Sequence, residues 1–94
     1  MAQNTTLSIP AATWTLITDS DITSITFQNL GGVDMLVKAT TDTVAPTNSL
    51  GALHYPAKYG EMNAPIADLF PGLALRDRLW VYADTAITVQ VSHA

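Results

Sequence analysis

The chain has 94 residues, 48% of them hydrophobic and only 13% charged, which suits one small domain with little surface charge. It has no cysteine, and its net charge of −4 leaves four bases, Lys38, Lys58, Arg76 and Arg78, that cluster only in the last pair. Disulfides and thiolate metal sites are thereby excluded, and the basic stripe required for binding nucleic acid is missing.

Two further exclusions follow from the order of residues. No apolar run approaches the length of a membrane-spanning helix. The first residues, Met1-Ala2-Gln3-Asn4-Thr5-Thr6, lack the basic and apolar regions of a signal peptide. The expectation is a product of the cytoplasm with no nucleic-acid, membrane or cofactor partner. A domain this small, apolar and unstapled is commonly stabilised by subunit contacts.

Thirteen threonines favour strands, because the β-branched side chain fits a pleated surface and its hydroxyl suits an exposed face. Residues 1–10 read as an N-terminal arm or a first edge strand, with extended character clearest over Thr6–Ile9. The arm has no evident cover and can dock on a neighbouring subunit. Thr13–Thr18 follows, then an Asx-type turn at Asp19-Ser20-Asp21. Ile22–Leu30 and Asp34–Thr40 read as strands on either side of Asn29-Leu30-Gly31-Gly32, which has the chemistry of a hairpin connection.

Residues 43–71 break this rhythm. They hold four of the five prolines and two of the three tyrosines, and read as an irregular loop with a short strand near Ala52–Tyr55. A helical turn is predicted at Pro65–Phe70, stopped by Pro71-Gly72. The chain then runs through Leu79–Ala83 and Ala86–Ser92 around the break Ala83-Asp84-Thr85-Ala86, a pattern that predicts a terminal hairpin. Ile87, Val89 and Val91 alternate with Thr88, Gln90 and Ser92, giving one buried and one wet face. Leu79, Val81 and Ala83 alternate with Trp80 and Tyr82, so this strand carries apolar bulk on both faces. Short strands with turns every 8–12 residues predict an all-β fold over residues 11–94, an antiparallel β-sandwich or barrel in a single domain.

Catalytic constellations are poorly represented. Ser92, His93 and Asp84 can be drawn as a triad, but neighbours on a strand point to opposite faces. Asp19, Asp21 and Asp42 lack the spacing of a calcium loop. Glu61 and Asp68 have the residue type of a glycosidase pair but no convergent polar companions. Gly31-Gly32 lacks the lysine and helix of a phosphate cradle. Arg76 and Arg78 suit an edge charge or an interface rim. The expectation is a protein that is not an enzyme, with no metal or cofactor site.

The aromatic and apolar residues point toward assembly instead. Leu53, Tyr55, Tyr59 and Met62 lie in the irregular loop and are candidates for a subunit or partner interface. Trp80 and Tyr82 join them on the second apolar face of their strand. Trp14 and Trp80 also suit the core or a layer boundary.

Several features recur in a familiar order: Trp14-Thr15-Leu16-Ile17, then Phe27-Gln28-Asn29-Leu30-Gly31-Gly32, a strand into Lys38-Ala39-Thr40, and Pro46. Asp68-Leu69-Phe70-Pro71-Gly72, an arginine–aromatic strand and Val91-Ser92-His93-Ala94 close the chain. From about Thr13 onward this resembles small structural proteins encoded beside the head and tail genes of tailed bacteriophages and phage-like particles. The resemblance implies a jelly-roll-like β-sandwich that forms a homotrimer. It also implies a virion component: a head decoration or cement protein, or the base of a head spike or fibre. Its partners would be the major capsid protein or fibre and spike subunits. Two other readings share the fold class: a minor tail or baseplate component, and a carbohydrate-binding module for host attachment with Tyr55 and Tyr59 as its aromatic platform.

Overall fold

A computed structural model describes residues 3–18, 24–40, 45–48, 52–70 and 78–93. Among the described residues eight strands run in the order β1 (Gln3–Ile9), β2 (Thr15–Leu16), β3 (Ser24–Asn29), β4 (Met35–Thr40), β5 (Leu53–Tyr55), β6 (Gly60–Pro65), β7 (Arg78–Tyr82) and β8 (Ile87–His93), with one short helix, α1 (Ile66–Leu69). They form two four-stranded antiparallel sheets. Sheet A has the order β1-β8-β3-β6 and sheet B the order β2-β7-β4-β5.

The pairing has a simple logic. β1 pairs with β8, β2 with β7, β3 with β6 and β4 with β5, all antiparallel. The chain therefore doubles back as one long ribbon of strand pairs, which is rolled so that β3 also meets β8 and β4 also meets β7. This is the eight-stranded jelly roll, an all-β sandwich.

Period-two alternation builds the core. Ile9, Ile25, Phe27, Ile87, Val89 and Val91 of sheet A meet Met35, Val37, Tyr55, Leu79 and Val81 of sheet B, and Ile17, Ile66 and Ala83 complete the cluster. Phe27 and Tyr55 join the two layers edge to face, with ring centroids 5.0 Å apart, the geometry favoured by the aromatic quadrupole.

The two predicted hairpins are not hairpins. β7 and β8 lie in different sheets, as do β3 and β4. Ala83-Asp84-Thr85-Ala86 and Leu30-Gly31-Gly32-Val33 are arches that cross from one layer to the other. Turn chemistry reports that the chain reverses, but not whether the flanking strands exchange hydrogen bonds. The arches are fixed by contacts with other segments: Leu30 N donates to Thr88 O at 3.0 Å and Ala12 N to Ala83 O at 2.7 Å.

Other boundaries also differ from the sequence reading. β1 starts at Gln3 because each of its seven residues has a register partner on β8. The second strand shrinks to Thr15–Leu16, although Ile17 N still donates to Leu79 O at 3.0 Å. The region read as an irregular loop contains β5 and a whole unpredicted strand, β6. β6 escapes notice because it is an edge strand with a bulge. Its register against β3 shifts between Ile25 and Phe27, Asn63 has a φ of 47°, and Asn63 N donates to Thr26 Oγ1 at 2.8 Å. Such a bulge destroys the alternation that reveals a strand.

Candidate functional site

One end of the sandwich is organised by a single buried amide. Asn29 is fully buried at the end of β3. Its Nδ2 donates to Val33 O at 2.8 Å and reaches Tyr55 O at 3.3 Å and Pro56 O at 3.4 Å, while its Oδ1 accepts from Gly31 N at 2.9 Å. Its backbone donates to Tyr59 O and accepts from Lys58 N, and Lys58 Nζ donates to Leu30 O at 2.7 Å. Gly31 is required beside it, since a Cβ there would sit 2.4 Å from Ile87 Cγ2. The Asn-Leu-Gly motif is thus a structural knot that ties the β3–β4 arch to the β5–β6 turn.

The interface candidates separate into two groups. Tyr55 is only 8% exposed and its hydroxyl donates to Glu61 Oε2 at 3.1 Å. Burial foremost, and the neighbouring Glu61 carboxylate next, push its phenol well above the ordinary value. Tyr55 therefore faces the core and cannot form an aromatic platform with Tyr59. Leu53 is half-buried against the same core. Trp80 is 6% exposed and its Nε1 donates to Thr40 Oγ1 at 2.8 Å, so it is not a surface contact either. The exposed pair is Tyr59, at 66%, and Met62, at 85%.

Met62 borders the outer face of sheet A. Cross-strand register aligns Thr26, Ser92 and Asn4 in one row and Gln28, Gln90 and Thr6 in the next, with Thr88 opposite Ser8. Thr6 Oγ1 donates to Gln90 Oε1 at 2.8 Å, and Gln90 Nε2 donates to Asn4 Oδ1 at 3.1 Å. None of these eight residues is charged. A shallow depression of Thr26, Gln28, Lys58, Gly60, Glu61 and Met62 marks the β6 border of this face.

The outer face of sheet B is different in character. Leu36 stands opposite Tyr82 on one side and His54 on the other, and the β2–β7 register extends to place Trp14 opposite Tyr82. The Trp14 and Tyr82 rings lie 5.3 Å apart, tilted by 43°. The segment 45–48 comes over this face, where Lys38 Nζ donates to Asn48 O at 3.3 Å and Oδ1 at 3.1 Å. An open groove of about 320 Å³ results, lined by Trp14, Leu36, Thr47, Asn48, Tyr82 and Asp84. It was not legible in the sequence, because its residues come from four separate segments.

The other constellations do not converge. His93 is buried at the far end of β8 from the Asp84 arch, whereas Ser92 faces outward beside Thr26. Glu61 binds Tyr55, while Asp68 is exposed on α1. Gly31 and Gly32 belong to the β3–β4 arch. Asp19, Asp21, Asp42 and Arg76 lie outside the described residues, and Arg78 opens β7 opposite Thr40. Among the described residues no group of three or more His, Asp or Glu side chains is placed to hold a metal ion, and no helix is long and apolar enough to cross a membrane.

Comparison with known protein families, curated proteins and solved structures gives no match.

Proposed function

We propose that this chain is a non-enzymatic structural component of a tailed-phage or phage-like particle, which self-associates and binds the capsid as a decoration protein or a head-spike base. The observation that supports this most is the uncharged part of the outer face of sheet A, the rows across β1, β8 and β3. On a protein of net charge −4, eight Asn, Gln, Ser and Thr side chains form a flat hydrogen-bonding surface, with Met62 exposed at its border. Copies packed through such a face meet no like-charge repulsion, which otherwise opposes association of acidic proteins. Met62 and Tyr59 add the apolar anchors that interfaces favour. Many weak contacts of this kind become durable on a lattice through multivalency. A minor tail or baseplate role would use the same surface at lower copy number.

The test is mass in solution, by light scattering and native mass spectrometry, for the parent chain and for Met62→Glu and Gln90→Glu. The reading expects a trimer or other defined oligomer that falls to monomer in both variants, with thermal unfolding of each monomer still cooperative. A parent chain that stays strictly monomeric at about 100 μM, an affinity worth only some 5–6 kcal/mol, would overturn the self-association. Counting copies per particle then separates the roles, since hundreds fit decoration and a dozen fit a tail component.

A further inference from the structure

We infer that the groove on the outer face of sheet B is a binding site for a neutral pyranose ring, a terminal or internal sugar of an uncharged glycan. The site is separate from the sheet A face used in the assembly reading and does not rest on it.

The floor comes first. Trp14 and Tyr82, half-buried and tilted by 43° at a 5.3 Å centroid spacing, line the groove together with Leu36. Tyr82 lies on β7, Trp14 immediately precedes β2 and the two rings pack on each other, so little side-chain freedom remains to be lost on binding. Rings of this kind pack well against the apolar C–H face of a flat ligand while their edges stay wet.

The walls are polar and stand on two sides. Thr47 and Asn48 rise from the segment over the sheet, and Asp84 stands two residues beyond Tyr82, where the β7–β8 arch begins. Lys38 donates to both Asn48 O and Asn48 Oδ1, which fixes this segment over the sheet. The rim thus offers the Thr47 hydroxyl, which donates and accepts, and the Asp84 carboxylate, which only accepts. A ligand fitting this site must be apolar on one face and carry both donors and acceptors around its edge. A pyranose has that division, with ring C–H groups on one face and hydroxyls at the equator.

Charge selects among sugars. Among the described residues that line the groove, Asp84 is the only Asp, Glu, Lys, Arg or His, so a uronic acid or sialic acid would bring a second carboxylate beside it and lose affinity. The groove volume of about 320 Å³ lies at the small end of ligand sites, enough for one ring with its neighbours projecting into solvent. A strand-pairing peptide is disfavoured because the groove opens on the side-chain face of the sheet rather than along the backbone of edge strand β2.

The experiment uses the intact protein and isothermal titration with amide NMR. Probes are the methyl pyranosides of glucose, galactose, mannose and N-acetylglucosamine, neutral trisaccharides of the same sugars, and glucuronic acid. At least one neutral probe is expected to bind with millimolar affinity, shifting the amides of Thr47, Asn48 and Asp84. Trp14→Ala and Asp84→Ala should each weaken it by about tenfold or more, whereas Tyr59→Ala should leave it unchanged. Asp84→Asn, an exposed isosteric change, keeps the test informative if Trp14→Ala fails to fold. No saturable binding up to ~50 mM of any neutral probe, or binding indifferent to Asp84→Asn and Asp84→Ala, would overturn the inference. So would tighter binding of glucuronic acid, or of short neutral peptides, than of the neutral sugars. The oligomer tests above can fail without touching any of these outcomes.

Discussion

Replacing Asn29 by alanine tests the knot at the ordered end of the sandwich. In the parent, the side chain satisfies Gly31 N–H, Val33 C=O and the carbonyls of Tyr55 and Pro56. Alanine removes two short bonds of 2.8 and 2.9 Å and one longer, shared one. Water can reach the partly buried Gly31 and Val33 groups, so each costs about 1 kcal/mol. The Tyr55 carbonyl is buried and loses its amide donor, which costs about 1–3 kcal/mol more. The total is roughly 3–5 kcal/mol against a domain stability of about 5–15 kcal/mol. Melting should fall by roughly 12–40 °C, at about 4–8 °C per kcal/mol for a domain of this size. Urea unfolding followed by tryptophan fluorescence and far-ultraviolet dichroism measures the loss directly. A loss under about 1 kcal/mol with an unchanged denaturant slope would show that Asn29 does not tie the arch to the turn.

Two other outcomes follow from the same geometry. Because the buried Tyr55 phenol holds its proton above the ordinary value, the unfolded chain ionises first as pH rises, and stability present below about pH 10 declines above it. Tyr55→Phe should lose stability at neutral pH but show a shallower decline between about pH 10 and 11, so parallel stability–pH curves for the two proteins would contradict the burial argument. Gly60→Ala places a Cβ 1.9 Å from Phe27 O and 2.7 Å from Gln28 Cα, backbone atoms that cannot step aside. It should break β3–β6 pairing and cost about 3 kcal/mol or more, read as lost protection of β6 amides in hydrogen exchange; retained protection would refute it.

What could be read from the residues was the local part of the fold. Period-two alternation in Ile87–Ser92 and Leu79–Ala83 reports a strand with a given inner face, and both inner faces are buried as that pattern requires. The same alternation says nothing about partners, so Ala83–Ala86 and Leu30–Val33 resembled hairpins although each crosses between layers. β6 was missed because Gly60, Asn63 and Pro65 each disfavour a strand on their own, and only the pull of β3 makes one. Tyr55 looked like an exposed loop aromatic because its burial depends on Phe27, 28 residues away in sequence. The sheet B groove is the extreme case, with four segments meeting at a place that no stretch of sequence describes.

The pairing of β1 with β8, down to Gln3 opposite His93, has a consequence for how the chain reaches this shape. Among the described strands only β4 and β5 pair as chain neighbours, so nearly every strand contact closes a long loop before any pairing free energy is recovered. High contact order of this kind places refolding in the millisecond-to-second range. During synthesis the situation is sharper, because β8 lies between β1 and β3 in sheet A and leaves the ribosome after the other seven strands. Until it arrives, the edges of β1 and β3 stand open. On densely loaded messages these edges are the sites where neighbouring nascent chains would pair in error.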